Sequence, residues 1–132
     1  MLYTGIRPNE LRTAKIENGF IIAVNSKRKN KKIEYKKIPI IKALVPFIAN
    51  GITATFSTRT LDKMRATIKE WFPNHILYDL RTTFYSRCKE YDVADNARHA
   101  FLGHSLGEIG NAYTDLSNEY LKKEAKKLDA WE

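Results

Sequence analysis

A single cysteine, Cys88, is all the thiol this chain has. That rules out an internal disulfide framework and suits a reducing, cytoplasmic compartment. No apolar run approaches the length of a membrane span, and nothing at Met1 reads as a signal peptide. No basic amphipathic stretch offers a membrane anchor. The three histidines, His75, His99 and His104, lack zinc-ligand spacing. A glycine-rich phosphate loop, a Gly-x-Ser-x-Gly turn and a pair of carboxylates in an apolar setting are all missing. Nothing in the chain calls for a metal or a cofactor.

What is present is positive charge. The 132 residues carry a formal net charge of +8, with a pI near 9.6. Such a balance points to a polyanionic partner, nucleic acid before membrane. Hydrophobic content of 43% and charged content of 29% suit one globular domain with a sizeable core.

In chain order, Met1–Thr4 read as the cut end of an apolar element, which predicts a fragment or the C-terminal part of a larger protein. Pro8 opens a short helix to Thr13, with Arg7 at its entry. Phe20–Val24 and Ile33–Ile40 read as strands, and the phase slip at Lys36-Lys37 predicts a bulge. The loop between them is basic. Lys27 to Lys37 hold seven basic residues and one acid, Glu34, which suits a DNA groove or backbone, with Arg28, Lys29, Lys31 and Lys32 at its centre. Ile40–Ala49 reads as a helix limited by Pro46, and Thr53–Phe56 as a short extended piece. Ser57 caps a helix to Phe72 whose Leu61, Met64, Ile68 and Trp71 form a core face. Asp79–Tyr91 is a helix with Leu80, Phe84, Cys88 and Tyr91 as its buried stripe. Arg81 in its first turn opposes the helix dipole, so an anion-binding duty explains it better than helix stability. Val93–Leu102 is a helix ending at Gly103, with His99 off its apolar face and open to solvent. Ser117 caps a last helix with Leu121, Ala125, Leu128 and Trp131 on one side. That stripe either closes its own core or docks on a neighbouring subunit.

Four segments then stand in a meaningful order. Thr4-Gly5-Ile6-Arg7-Pro8-Asn9-Glu10-Leu11 resembles the first arginine box of the tyrosine recombinases, the phage-integrase family. Lys36-Lys37-Ile38-Pro39-Ile40 resembles the end of that family's β-hairpin. Tyr78-Asp79-Leu80-Arg81-Thr82-Thr83-Phe84 resembles its His-x-x-Arg box, with Tyr78 at the first position and Thr82 where a second histidine is usual. Leu102-Gly103-His104-Ser105, with Tyr113 nine residues beyond the histidine, resembles its Leu-Gly-His…Tyr segment. Nearly the whole chain is covered.

The resemblance implies an α+β, mostly helical catalytic domain, with a small antiparallel sheet or hairpin packed on a helical core. It also implies a separate N-terminal DNA-binding domain that this chain has no room for. The activity implied is site-specific recombination of a phage or mobile element, by integration or excision, without metal or cofactor. Arg7 and Arg81 would hold the scissile phosphate, and His104 would donate a hydrogen bond to it. Tyr113 would attack to form a 3′-phosphotyrosyl link, with Gly107 and Gly110 as hinges. Tyr78 is auxiliary and Glu10 orients its neighbours. The general-acid lysine is Lys27 by its position after the first strand, whereas counting back from Pro39 favours Lys31; Lys27 is taken. The partners implied are double-stranded DNA and further copies of the chain, a tetramer assembled through the C-terminal helix.

Overall fold

The computed structural model describes residues 1–26, 33–52, 56–104 and 116–131. Three strands, β1 (Lys15–Glu17), β2 (Phe20–Val24) and β3 (Tyr35–Pro39), make an antiparallel sheet in that order. A short helix, α1 (Val45–Ile48), follows, then α2 (Thr58–Trp71), α3 (Asp79–Glu90), α4 (Asp95–Leu102) and α5 (Asn118–Lys126). Tight 3₁₀ turns cover Pro8–Arg12, Lys42–Leu44 and Lys127–Ala130. The architecture is α+β. No helix among the described residues is long and apolar enough to cross a membrane.

Strand β1 is absent from the sequence expectation. It is exposed along its length, so no buried face marks it. Its signal lies in the turn instead. Asn18 and Gly19 take φ of 52° and 80°, and Glu17 pairs with Phe20 across them. Asn-Gly is the preferred pair for such a hairpin turn, since both central residues need positive φ.

The expected bulge in β3 does not exist. Pairing with β2 runs unbroken from Phe20↔Pro39 to Val24↔Tyr35. Tyr35, Lys36, Lys37 and Ile38 alternate out, in, out, in, with Lys36 on the core side. What looked like a slipped phase is a buried lysine in a regular strand.

Phe20, Ala23 and Ile38 from the sheet meet Phe84 and Cys88 of α3, Phe101 and Leu102 of α4, and Leu128 in one buried cluster. Helices α4 and α5 both pack on β3. Buried Glu124 of α5 accepts the Ala94 N–H at 2.8 Å and the Lys127 ammonium at 2.7 Å, which ties α5 to the start of α4. Leu121, Ala125, Leu128 and Trp131 are buried, and the Trp131 ring meets Tyr3 edge-on at 5.0 Å. The apolar stripe of the last helix therefore closes this chain's own core.

Two helices differ from expectation. The segment read as one helix over Ile40–Ala49 is a 3₁₀ turn leading into α1, where Pro46 sits in the first turn, a position that needs no N–H. Helix α2 has the predicted cap, with Ser57 Oγ accepting the Thr60 N–H at 3.1 Å. Its apolar face is not core, however. No α2 residue is buried, and Trp71 is 68% exposed. Helical spacing identifies an amphipathic face but not whether anything covers it. The extended piece expected at Thr53–Phe56 lies mostly outside the described residues.

Candidate anion-binding site

Arg81 is 2% exposed although it is an arginine. It stands in the first turn of α3 and reaches under the chain's other ends. One terminal nitrogen donates to the Gly5 carbonyl. The other donates to the Leu102 carbonyl at 2.9 Å and faces His104 Nε2 at 3.2 Å. Three segments distant in sequence, around Gly5, Arg81 and Leu102–His104, thus meet on one guanidinium. Gly5 leaves no room for a side chain, because a Cβ would lie 2.6 Å from Leu102 Cδ2 and 2.7 Å from Phe84 Cδ1.

A second hub is the Glu10 carboxylate, fully buried at the third position of the Pro8–Arg12 turn. Its Oε2 accepts the Arg7 N–H at 2.9 Å and pairs with the Lys36 ammonium. Its Oε1 accepts from Arg7 Nη1 at 3.2 Å, and from the Ser26 N–H and hydroxyl at 3.1 Å each. Burial pushes the Glu10 carboxyl up, but Lys36 and the Arg7 and Ser26 N–H groups outweigh it and hold it below its usual value. Burial pushes the Lys36 ammonium down to about 8, against the pull of Glu10 and with help from the Arg81 and Arg7 charges.

Asn25 links the hubs. Its amide donates to the Gly103 carbonyl at 2.6 Å, and its oxygen lies 3.5 Å from Arg7 Nη1. Gly103 ends α4 in the left-handed region at φ 68°, and a Cβ there would press to 3.0 Å on both Asn25 and Lys36. A glycine that ends a helix this way turns the chain back sharply. That turn brings His104 to the site.

Among the described residues, Arg7, Lys36 and Arg81 set three cations against the one Glu10 carboxylate, an excess of two positive charges in a largely water-excluded cluster. The cluster opens at a cavity of about 160 Å³ lined by Tyr78, Arg81, Thr82, Tyr85, Leu102 and His104. Tyr78 is 51% exposed and stands beside Arg81 in the cavity lining. His104 is pushed down to about 4 by desolvation first and then by Arg81, His99, Arg7 and Lys36, so its imidazole is neutral near pH 7. Uncompensated buried charge is costly, and an anion in the cavity would relieve it. A larger groove of about 280 Å³ runs between α2 and Leu77–Leu80. It is apolar apart from Thr60, Thr67 and Lys63 and shares no lining residue with the smaller cavity.

Of the residues singled out from sequence, Tyr78, Arg81 and His104 line one cavity, and Arg7, bound to Glu10, lies near enough for its charge to act on Arg81 and His104. Lys27, Arg28, Lys29, Lys31, Lys32, Gly107, Gly110 and Tyr113 lie outside the described residues. Arg81 is not the exposed, acid-paired arginine that a solvated helix face would carry. His99 is half-buried rather than open, with its ring 5.4 Å from that of His104. Lys36, Asn25 and Ser26 were not singled out. A lysine at an inward strand position was the available sign for Lys36; Asn25 and Ser26 had none beyond their place at the strand's end. Cys88 is buried and its thiol is pushed up to about 12, as suits an inert core residue. No cluster of potential metal ligands occurs among the described residues. No family model, curated protein or solved structure matches this chain.

Proposed function

We propose that this chain is a tyrosine-recombinase-like catalytic domain that cleaves and rejoins DNA through a covalent 3′-phosphotyrosyl intermediate. The observation that carries the reading is the excess of two positive charges among the described residues, from half-buried Arg7 and buried Lys36 and Arg81 against Glu10, beside a cavity lined by Arg81 and His104. Guanidinium forks match the paired oxygens of a phosphate. Donors fixed in advance stabilise charge that grows on those oxygens in the transition state.

In this reading Arg7 and Arg81 bind the non-bridging oxygens of one DNA phosphate. Tyr113 attacks phosphorus, and the bond to the 5′ oxygen breaks. Lys27 protonates that leaving oxygen. The phosphotyrosyl bond conserves the energy of the broken link, so a 5′-hydroxyl of another strand reverses the step without ATP or metal. Ser26 precedes Lys27 and is bound through both its N–H and its hydroxyl to Glu10. Glu10 therefore holds the root of the lysine loop and the backbone of Arg7 together. The remaining basic residues of that loop, Arg28, Lys29, Lys31 and Lys32, track the DNA backbone. The setting is a prokaryotic cell's DNA, with copies of the chain assembling on it.

Tyr78 favours a second reading. A phenol titrates near 10 and an imidazole near 6.5, so a tyrosine at that position is a poor base, and a DNA-binding fragment without turnover would tolerate it. Incubation with nicked suicide DNA in EDTA separates the two. The recombinase reading expects a denaturation-resistant protein–DNA adduct. Retention of the DNA with no adduct favours binding alone.

A further inference from the structure

The turn at Gly103 brings together two histidines five residues apart. The His104 N–H donates to the His99 carbonyl at 2.9 Å, and Gly103 N–H closes the inner bond to Ala100. This double closure is the geometry in which the residue after the turn folds back on the last helical turn. An apolar contact commonly fills that place. Here the side chains meet through nitrogen, with His99 Nδ1 and His104 Nδ1 at 3.2 Å. The Tyr85 ring stands beside both, 6.4 Å from His99 and 6.5 Å from His104.

The tautomers follow from the partners. Arginine has donors and no acceptor. Arg81 Nη2, 3.2 Å from His104 Nε2, therefore gives the hydrogen, and Nε2 offers its lone pair. A neutral imidazole carries one proton, so that of His104 sits on Nδ1. It points at His99 Nδ1, which must accept it, leaving the His99 proton on Nε2.

We infer that His99 is a positioning residue for His104, fixing the ring as its Nδ1–H tautomer with the Nε2 lone pair turned to Arg81 and the cavity. Desolvation first, and then the cations around the pair, lower the pKa of both rings: Arg81 from α3, Lys36 from β3 and Arg7 from the first turn act on His104, and Arg98 from α4 on His99, while the uncharged Tyr85 ring packs beside them. Two protonated rings would also set N–H against N–H.

The chemical consequence rests on the recombinase reading. When a phosphate oxygen takes up the Arg81 hydrogen bond, His104 Nε2 loses its donor and faces an anion with a lone pair. A proton taken from solvent at Nε2 converts that repulsion into a donated hydrogen bond from an imidazolium, while His99 goes on accepting from Nδ1. His99 thus holds the ring in place while it changes from acceptor to donor.

The test reads the tautomer directly, on the full chain without DNA, by ¹⁵N-resolved NMR of the imidazoles. The His104 ring should be in the Nδ1–H form in the wild type. In His99→Phe, which removes the acceptor, a substantial Nε2–H population should appear; in His99→Asn, whose amide oxygen can accept, the Nδ1–H form should return. A predominantly Nε2–H ring in the wild type overturns the inference, as does a ring unchanged in His99→Phe. Covalent capture of suicide DNA supplies the second readout. Its rate should fall about tenfold in His99→Phe, the usual order for one positioned hydrogen bond of about 1.4 kcal/mol, and recover in His99→Asn. If the tautomer shifts as described while even the wild type captures no DNA, the recombinase reading fails and the role of His99 in holding His104 stands.

Discussion

Arg81→Ala should lower covalent DNA capture by about 10²–10³-fold, the usual loss for removing one fixed donor from a site of developing negative charge. Duplex affinity should fall far less, because most of it comes from phosphates contacted elsewhere along a basic surface. The same variant should also lose stability. Arg81 satisfies the Gly5 and Leu102 carbonyls, and alanine leaves both buried without that partner. Each orphaned acceptor costs about 1–3 kcal/mol. Arg81→Lys separates the two roles. A lysine of similar reach restores a charge and can bond a carbonyl, but it cannot fork between the backbone and a phosphate. Its thermal midpoint should therefore recover further than its capture rate. Equal recovery of both would mean that Arg81 serves only to join the three segments.

The second large effect is expected at Glu10. Removing one partner from a buried ion pair costs about 3–5 kcal/mol, because the other charge is left behind. Glu10→Gln strands the Lys36 ammonium, whose side chain is 1% exposed, and weakens the grip on Ser26 and Arg7. A domain of ordinary stability holds only about 5–15 kcal/mol, so the midpoint of a thermal melt should drop by more than about 10 °C. Adding Lys36→Met to Glu10→Gln removes the stranded charge and should restore much of the loss. A double variant no more stable than the single one would show that the Ser26 and Arg7 bonds, not Lys36, carry the effect. The pH dependence has a defined sign. Glu10 is held below its usual value in the fold. Its contribution is complete above about 4.3, the unfolded value, and is lost as the pH falls through the folded one. Wild-type stability should fall in that acid window, and Glu10→Gln should lack this component.

These two residues show what could and could not be read from sequence. The segments that resemble two arginine boxes were visible because they are local strings, and it was that resemblance that marked Arg7, Glu10, Arg81 and His104. The α3 and α5 stripes were legible for the same reason: the periodicity of Phe84 and Cys88, or Leu121, Ala125 and Leu128, is a property of neighbours in the chain. The partners of the site were not legible. Lys36 read as a slip in the strand pattern because its ion-pair partner lies 26 residues away and its inward direction depends on register with β2. The α2 face failed in the opposite sense. Leu61, Met64, Ile68 and Trp71 have the pattern of a core helix, yet burial depends on what packs against them, and no α2 residue is buried. His99 lay off the apolar stripe of α4 and so read as solvated, whereas the left-handed turn at Gly103 folds His104 back upon it.

The central claim is that the cation cluster serves a tyrosine nucleophile, and it makes one direct prediction. Wild-type protein trapped on suicide DNA in EDTA should be digested and the nucleotide-bearing peptide sequenced by mass spectrometry. The account predicts a 3′-phosphonucleotide on Tyr113, and no adduct from Tyr113→Phe under the same conditions. A nucleotide on Tyr78, the phenol at the mouth of the cavity, or an adduct that persists in Tyr113→Phe, would contradict it.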